Sequence, residues 1–170
     1  MGSDFQDLTR DLFLNYRSHP PAIYTLGTGT RRLEEFIEIL DSYGILRVVD
    51  VRRFPTSRLE HFKKANLEAA LRARGLQYEY LGRDLGGYRK GGYEVYMDSF
   101  EFNRGLEALI LLAREKITVV VCAERFAWKC HRRFIGAALE KKGWLVLHVI
   151  DKDRIWKTKQ SKKGDLSGRR

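Results

Sequence analysis

At 170 residues the chain has the length of one ordinary domain and is short for two separate cores. Its 32 Lys and Arg against 22 Asp and Glu leave a net charge of +10, which points to an anionic partner, nucleic acid first. Two cysteines exclude a disulfide framework, no apolar run approaches the roughly 18 residues of a membrane span, and no charged-then-apolar leader opens the chain, so a protein of the reducing cytoplasm without membrane contact is expected.

In chain order, residues 4–17 are expected to form an amphipathic helix, with Leu8, Leu12 and Phe13 on one face and Pro20-Pro21 as its stop. A short apolar strand over 23–27 follows. Thr30 suits a helix cap, Glu34 and Glu35 suit a first turn, and Leu33, Phe36, Ile37 and Leu40 keep helical spacing as far as Gly44. Residues 46–51 read as a second strand. Asn66 is placed to cap a helix carrying Leu67, Ala70 and Leu71, which Gly75 closes, and 77–81 alternates as a third strand. The stretch 82–99, punctuated by Gly86-Gly87 and Gly91-Gly92 and rich in Tyr, Arg and Lys, reads as a long loop. Leu106, Leu109, Ile110 and Ala113 mark a helix, 118–122 a fourth strand, 128–142 a helix ending at Gly143, and 145–150 a fifth strand.

Near-continuous apolar strands alternating with helices imply a mainly parallel sheet covered on both faces. The expected fold is α/β: a three-layer α/β/α sandwich around a mainly parallel five-stranded sheet, Rossmann-like, in one domain over 1–150. A basic tail over 151–170 carries eight Lys or Arg against three Asp. Strand order is not encoded in any local pattern.

Ligands of open parallel sheets bind beyond the carboxyl ends of the strands, and three of those ends carry polar residues. After the first strand comes Gly27-Thr28-Gly29-Thr30, a strand-to-helix turn with no lysine to make it a phosphate loop. After the second come Asp50 and Arg52, which alternation puts on one side, then Arg53 on the other, then Pro55, Ser57 and Arg58. After the fourth come Cys122, Ala123, Glu124 and Arg125, then Lys129, Cys130, His131, Arg132 and Arg133 at a helix start suited to a phosphate or carboxylate. A strand, a cysteine, a loop and an arginine also suit a thiolate enzyme, although Ala123 to Lys129 contains no glycine to converge backbone amides. Cys122, Cys130 and His131, with His61 as a fourth, do not show the paired spacing of a structural zinc site, so neither metal nor cofactor is expected. Tyr88, Tyr93 and Tyr96 interleave with Arg89 and Lys90, a mixture suited to base stacking and phosphate contact.

On these residues the chain resembles the domain-of-unknown-function family DUF488. The shared landmarks, running from Ile23 to Ile150, are Tyr24-Thr25-Leu26-Gly27 before Leu33-Glu34-Glu35-Phe36, Val49-Asp50-Val51-Arg52 with Pro55 and Ser57-Arg58, Leu85-Gly86-Gly87, Tyr96-Met97, and Cys122-Ala123-Glu124 with Cys130-His131-Arg132-Arg133. Where the family's first turn reads Gly-His-Ser, this chain has Gly27-Thr28-Gly29. The resemblance implies an α/β fold and no particular activity.

The residues themselves lead to an enzyme acting on nucleic acid or a nucleotide, hydrolysing a glycosidic or phosphodiester bond, a class that includes base-excising DNA repair enzymes. Asp50 or Glu124 would act as general base, His131 and Cys122 complete the catalytic set, and Arg52, Arg58, Arg132, Thr28, Ser57 and Tyr96 hold the substrate. Two other functions fit the same pattern: a non-catalytic nucleic-acid-binding module, and a cysteine-dependent sulfur or phosphoryl transferase. Protein partners are not indicated.

Overall fold

The computed structural model describes residues 19–158. The helix expected over 4–17 and most of the basic tail lie outside the described residues.

Six strands form one sheet: β1 (Ala22–Gly27), β2 (Arg47–Asp50), β3 (Gln77–Tyr80), β4 (Thr118–Cys122), β5 (Leu145–Asp151) and β6 (Arg154–Trp156), in the order β3-β2-β4-β1-β5-β6. The first five are parallel, and β6 runs antiparallel to β5. The sixth strand takes up residues assigned to the tail: a two-residue turn at Lys152 and Asp153 folds the chain back along β5, and Asp151 fixes it with an ion pair to Arg154 at 2.7 Å.

Alternation along these strands sends their side chains to two faces. On one face Leu26, Val48, Val119, Val121 and Val149 pack against α1 (Leu33–Ser42) and α2 (Lys64–Arg72) through Phe36, Ile37, Leu40, Leu67 and Leu71. On the other, Val49, Val51, Val120, Cys122 and Val146 pack against α5 (Phe100–Glu115) and α6 (Arg132–Lys141) through Phe102, Leu106, Leu109, Ile135 and Leu139. The result is the expected three-layer sandwich. The stretch read as a loop over 82–99 contains two one-turn helices, α3 (Gly82–Leu85) and α4 (Tyr93–Tyr96), the first packed on α5. Thr30 and Asn66 are not the caps expected of them: α1 and α2 begin at Leu33 and Lys64 without side-chain caps, and the Asn66 amide donates to the Glu60 carbonyl instead. Ser99, by contrast, accepts from the Phe102 backbone and caps α5.

The chain leaves β1 for the α1 face and leaves β4 for the α6 face, and these two strands are neighbours. Connections that diverge from adjacent strands open a crevice at their carboxyl ends. Here its centre is filled. Thr28 and Gly29 donate to the carbonyls of Cys122 and Ala123, and a methyl group on Gly27 would lie 2.0 Å from the Glu124 carbonyl oxygen, so only glycine fits there. Open space is displaced to the neighbouring ends, those of β2 and β4.

Candidate functional site

That space is a cleft of about 800 Å³, bounded by the segments after β2 and β4, the turn from Gly87 to Arg89, and the start of α6. Three groups form its floor. Cys122, the last residue of β4, faces the α6 side by alternation, and α6 starts directly after Cys130 and His131, which brings both back against it. The sulfur, sulfur and imidazole nitrogen atoms lie within 4.8 Å of one another. His131 Nε2 is 3.2 Å from the Val51 carbonyl, which can only accept, so Nε2 carries the proton and Nδ1 the lone pair. That lone pair faces Cys122 Sγ at 3.8 Å and Cys130 Sγ at 3.5 Å.

The two thiols are shifted in opposite directions. The hydrogen bond from the Cys122 thiol holds Cys130 far below the usual thiol range against the opposing effect of burial, with the Arg132 charge helping, and Cys122 is raised in turn. The Arg132 backbone N–H also donates to Cys130 Sγ at 3.5 Å. Gly87 leaves the space beside the imidazole open, since a methyl group there would approach His131 Nδ1 to 3.0 Å.

Charge distinguishes the walls. Arg53, Arg89, Lys129 and Arg133 all line the cleft, and none forms an ion pair with a carboxylate among the described residues. Their hydrogen bonds go to backbone carbonyls instead: Arg53 to Tyr88, Arg89 to Gly86 and Arg133 to Trp128. Glu124 is the single carboxylate in the lining, and it is exposed. Phe54 and Tyr88 stand at the mouth 63% and 88% exposed, and Tyr88 holds a left-handed backbone with φ of 56°.

The residues anticipated from sequence separate into two groups. Cys122, Glu124 and His131 come together in the cleft, and Arg52 borders it. Asp50 does not. Alternation puts it on the α1/α2 face, opposite Cys122, fully buried, where it accepts from Arg52 at 2.6 Å and from the Tyr78 hydroxyl at 2.7 Å. Arg52 is therefore committed to Asp50, with its remaining nitrogen on the Phe62 carbonyl. Arg132 is also buried, donating to Thr25 and to the carbonyls of Glu124 and Arg125; it braces the loop after β4 and does not line the cleft. Thr28 is buried in the turn after β1, Ser57 accepts from the Leu59 backbone, and Arg58 is exposed outside the cleft. Tyr96 and Tyr93 bind the carbonyls of Asp84 and Leu85 through their hydroxyls and pack against Phe102, and of the three tyrosines only Tyr88 is free to stack on a ligand. His61 bonds the Arg31 carbonyl and takes no place beside the cysteines.

Arg53, Phe54, Thr56 and Phe134 line the cleft without having been singled out by sequence. Alternation puts Arg53 on the side opposite Asp50, which is the side of Cys122, and it lines the cleft there. The signal that identifies it is an unpaired cation just past a strand's carboxyl end.

A family profile described as a domain of unknown function, DUF488, matches residues 32–139, a span that contains every residue of the cleft lining. No curated protein and no solved structure matches the chain.

Proposed function

Because the chain belongs to the DUF488 family, whose description names no activity, we propose a function from the cleft itself: an enzyme that hydrolyses a phosphodiester or glycosidic bond in nucleic acid or a nucleotide. The observation that carries this reading is the wall of four unpaired cations beside two exposed aromatic rings, with one exposed carboxylate, Glu124, in the same lining. Arg53, Arg89, Lys129 and Arg133 offer charge-assisted bonds to phosphate oxygens without first breaking an ion pair. Phe54 and Tyr88 offer faces on which a base stacks. Glu124, exposed and beside the cysteines, is the general base for water. His131 has both ring nitrogens turned inward, so it orients the floor and the proton leaves through Glu124. Two free thiols suit the reducing cytoplasm, and no helix among the described residues is long and apolar enough to cross a membrane.

A second reading has its own support. A depressed Cys130 thiolate beside an imidazole suits a cysteine-dependent sulfur or phosphoryl transferase.

Titration of short single- and double-stranded DNA and RNA, with wild type and the Lys129→Ala/Arg133→Ala double variant, tests the first. Loss of about two phosphate contacts should weaken duplex binding and flatten its log–log salt slope by about 1.8. Glu124→Gln should bind with unchanged affinity and lose strand scission or base release by about 10²-fold or more. Equal binding by wild type and double variant would remove the cleft from consideration. Unchanged turnover in Glu124→Gln, together with loss on iodoacetamide treatment, would select the transferase.

A further inference from the structure

We propose that Cys122, Cys130 and His131 are three ligands of a single soft divalent metal ion, zinc by its chemistry, whose fourth position opens into the cleft. The site as a metal centre stands on its own geometry; only the role of the fourth position rests on the function proposed above.

Bond lengths of about 2.3 Å to thiolate sulfur and 2.0–2.1 Å to imidazole nitrogen, at tetrahedral angles, put sulfur and nitrogen about 3.6 Å apart and two sulfurs about 3.8 Å apart. The observed sulfur–nitrogen separations are 3.8 and 3.5 Å, and all three atoms lie within 4.8 Å. A neutral imidazole nitrogen has one lone pair and accepts one thiol proton well. Two sulfurs converging on the same lone pair is the arrangement a shared cation produces.

The surroundings fit the same reading. The Val51 carbonyl takes the Nε2 proton of His131, the outer-shell partner that turns Nδ1 toward a metal. The Arg132 N–H donates to Cys130 Sγ, as a backbone amide does to a coordinated thiolate. The absent side chain at Gly87 keeps the approach to Nδ1 clear. All three ligand residues also line the cleft, so the fourth direction leads to solvent and substrate. Two thiolates and an imidazole select zinc over magnesium or calcium, which require oxygen donors. Sequence spacing missed the site because Cys122 ends a strand while Cys130 and His131 open the helix after it. The loop between them, not a short paired motif, closes the triangle. Three protein ligands and an open position are the pattern of a catalytic zinc, whose bound water has a lowered pKa. Glu124 is then placed to take that water's proton.

The test uses the full untagged chain, reduced, stripped with chelator and titrated with Co²⁺ and then Zn²⁺. One cobalt per chain should give thiolate-to-cobalt charge-transfer absorption and intense tetrahedral d–d bands, both displaced by one equivalent of zinc. Cys130→Ser and His131→Ala should each weaken binding by about tenfold or more. Weak octahedral bands without charge transfer, or no saturable binding, would overturn the site on wild-type protein alone, whether or not the variants fold. So would a chain that resists metal because Cys122 and Cys130 remain bonded to each other after reduction. An intact cobalt spectrum in a protein that binds no nucleic acid would leave the metal standing and overturn the proposed substrate.

Discussion

At the scale of single residues, direction matters more than identity. Asp50 and Cys122 both stand at the ends of neighbouring strands, yet the two-residue period sends them to opposite faces. Asp50 is thereby part of the scaffold. It accepts from the Arg52 side chain and backbone and from the Tyr78 hydroxyl, whose pKa burial and Asp50 raise, so Tyr78 stays a donor. Asp50→Ala would leave a buried guanidinium unpaired, and breaking such a pair from one side costs roughly 3–5 kcal/mol. Urea denaturation should show a loss of that order, while the folded fraction keeps its affinity for oligonucleotide. A variant as stable as wild type would show that Arg52 finds another partner. Ordinary rules of composition pick out Asp50 and Arg52 as an acid and a base near a strand end; the parity that removes the acid from the cleft is also readable in sequence, once the register of β2 against β4 is known.

At the scale of elements, β6 anchors a buried polar chain. Trp156 packs on His148 at 5.1 Å, Thr25 joins its hydroxyl to His148 Nδ1 at 2.8 Å, and Arg132 donates to Thr25 at 3.2 Å. The Thr25 hydroxyl accepts from Arg132 and has one proton to give; given to His148 Nδ1, that proton requires a neutral imidazole. Burial first, then the Arg132 charge, push His148 down to about 4. Unfolded, it titrates near 6.5. Between these values the unfolded chain holds a proton that the folded chain does not, so stability is full above about pH 6.5 and falls as the pH drops toward 4. The loss is on the order of 3 kcal/mol. Urea midpoints from pH 7 to 4 should fall less steeply in His148→Asn than in wild type. Parallel curves would mean that His148 does not stay neutral in the folded state.

At the scale of the whole molecule, charge is divided between the cleft wall and residues 159–170, which lie outside the described residues. The four unpaired cleft cations belong to the domain, whereas residues 159–170 hold five Lys or Arg against one Asp. If the tail adds phosphate contacts, each should steepen the log–log salt slope on duplex DNA by about 0.9. Truncation after Thr158 should therefore flatten the slope and weaken binding at low salt, without changing cobalt spectra or turnover at saturation. An unchanged slope would assign all of the affinity to the cleft. The sequence by itself determined the α/β class, the alternation of apolar strands and helices, and the polar residues that follow the ends of β1, β2 and β4, because local periodicity and strand-end position are properties of contiguous residues. It also named Cys122, Glu124 and His131. Only the tertiary structure decided the strand order, the sixth strand, the burial of Asp50 and Arg132, and the meeting of two thiols on one imidazole lone pair. Those depend on which strands become neighbours and how connections between them cross, and contacts between residues far apart in the chain leave no local pattern to read.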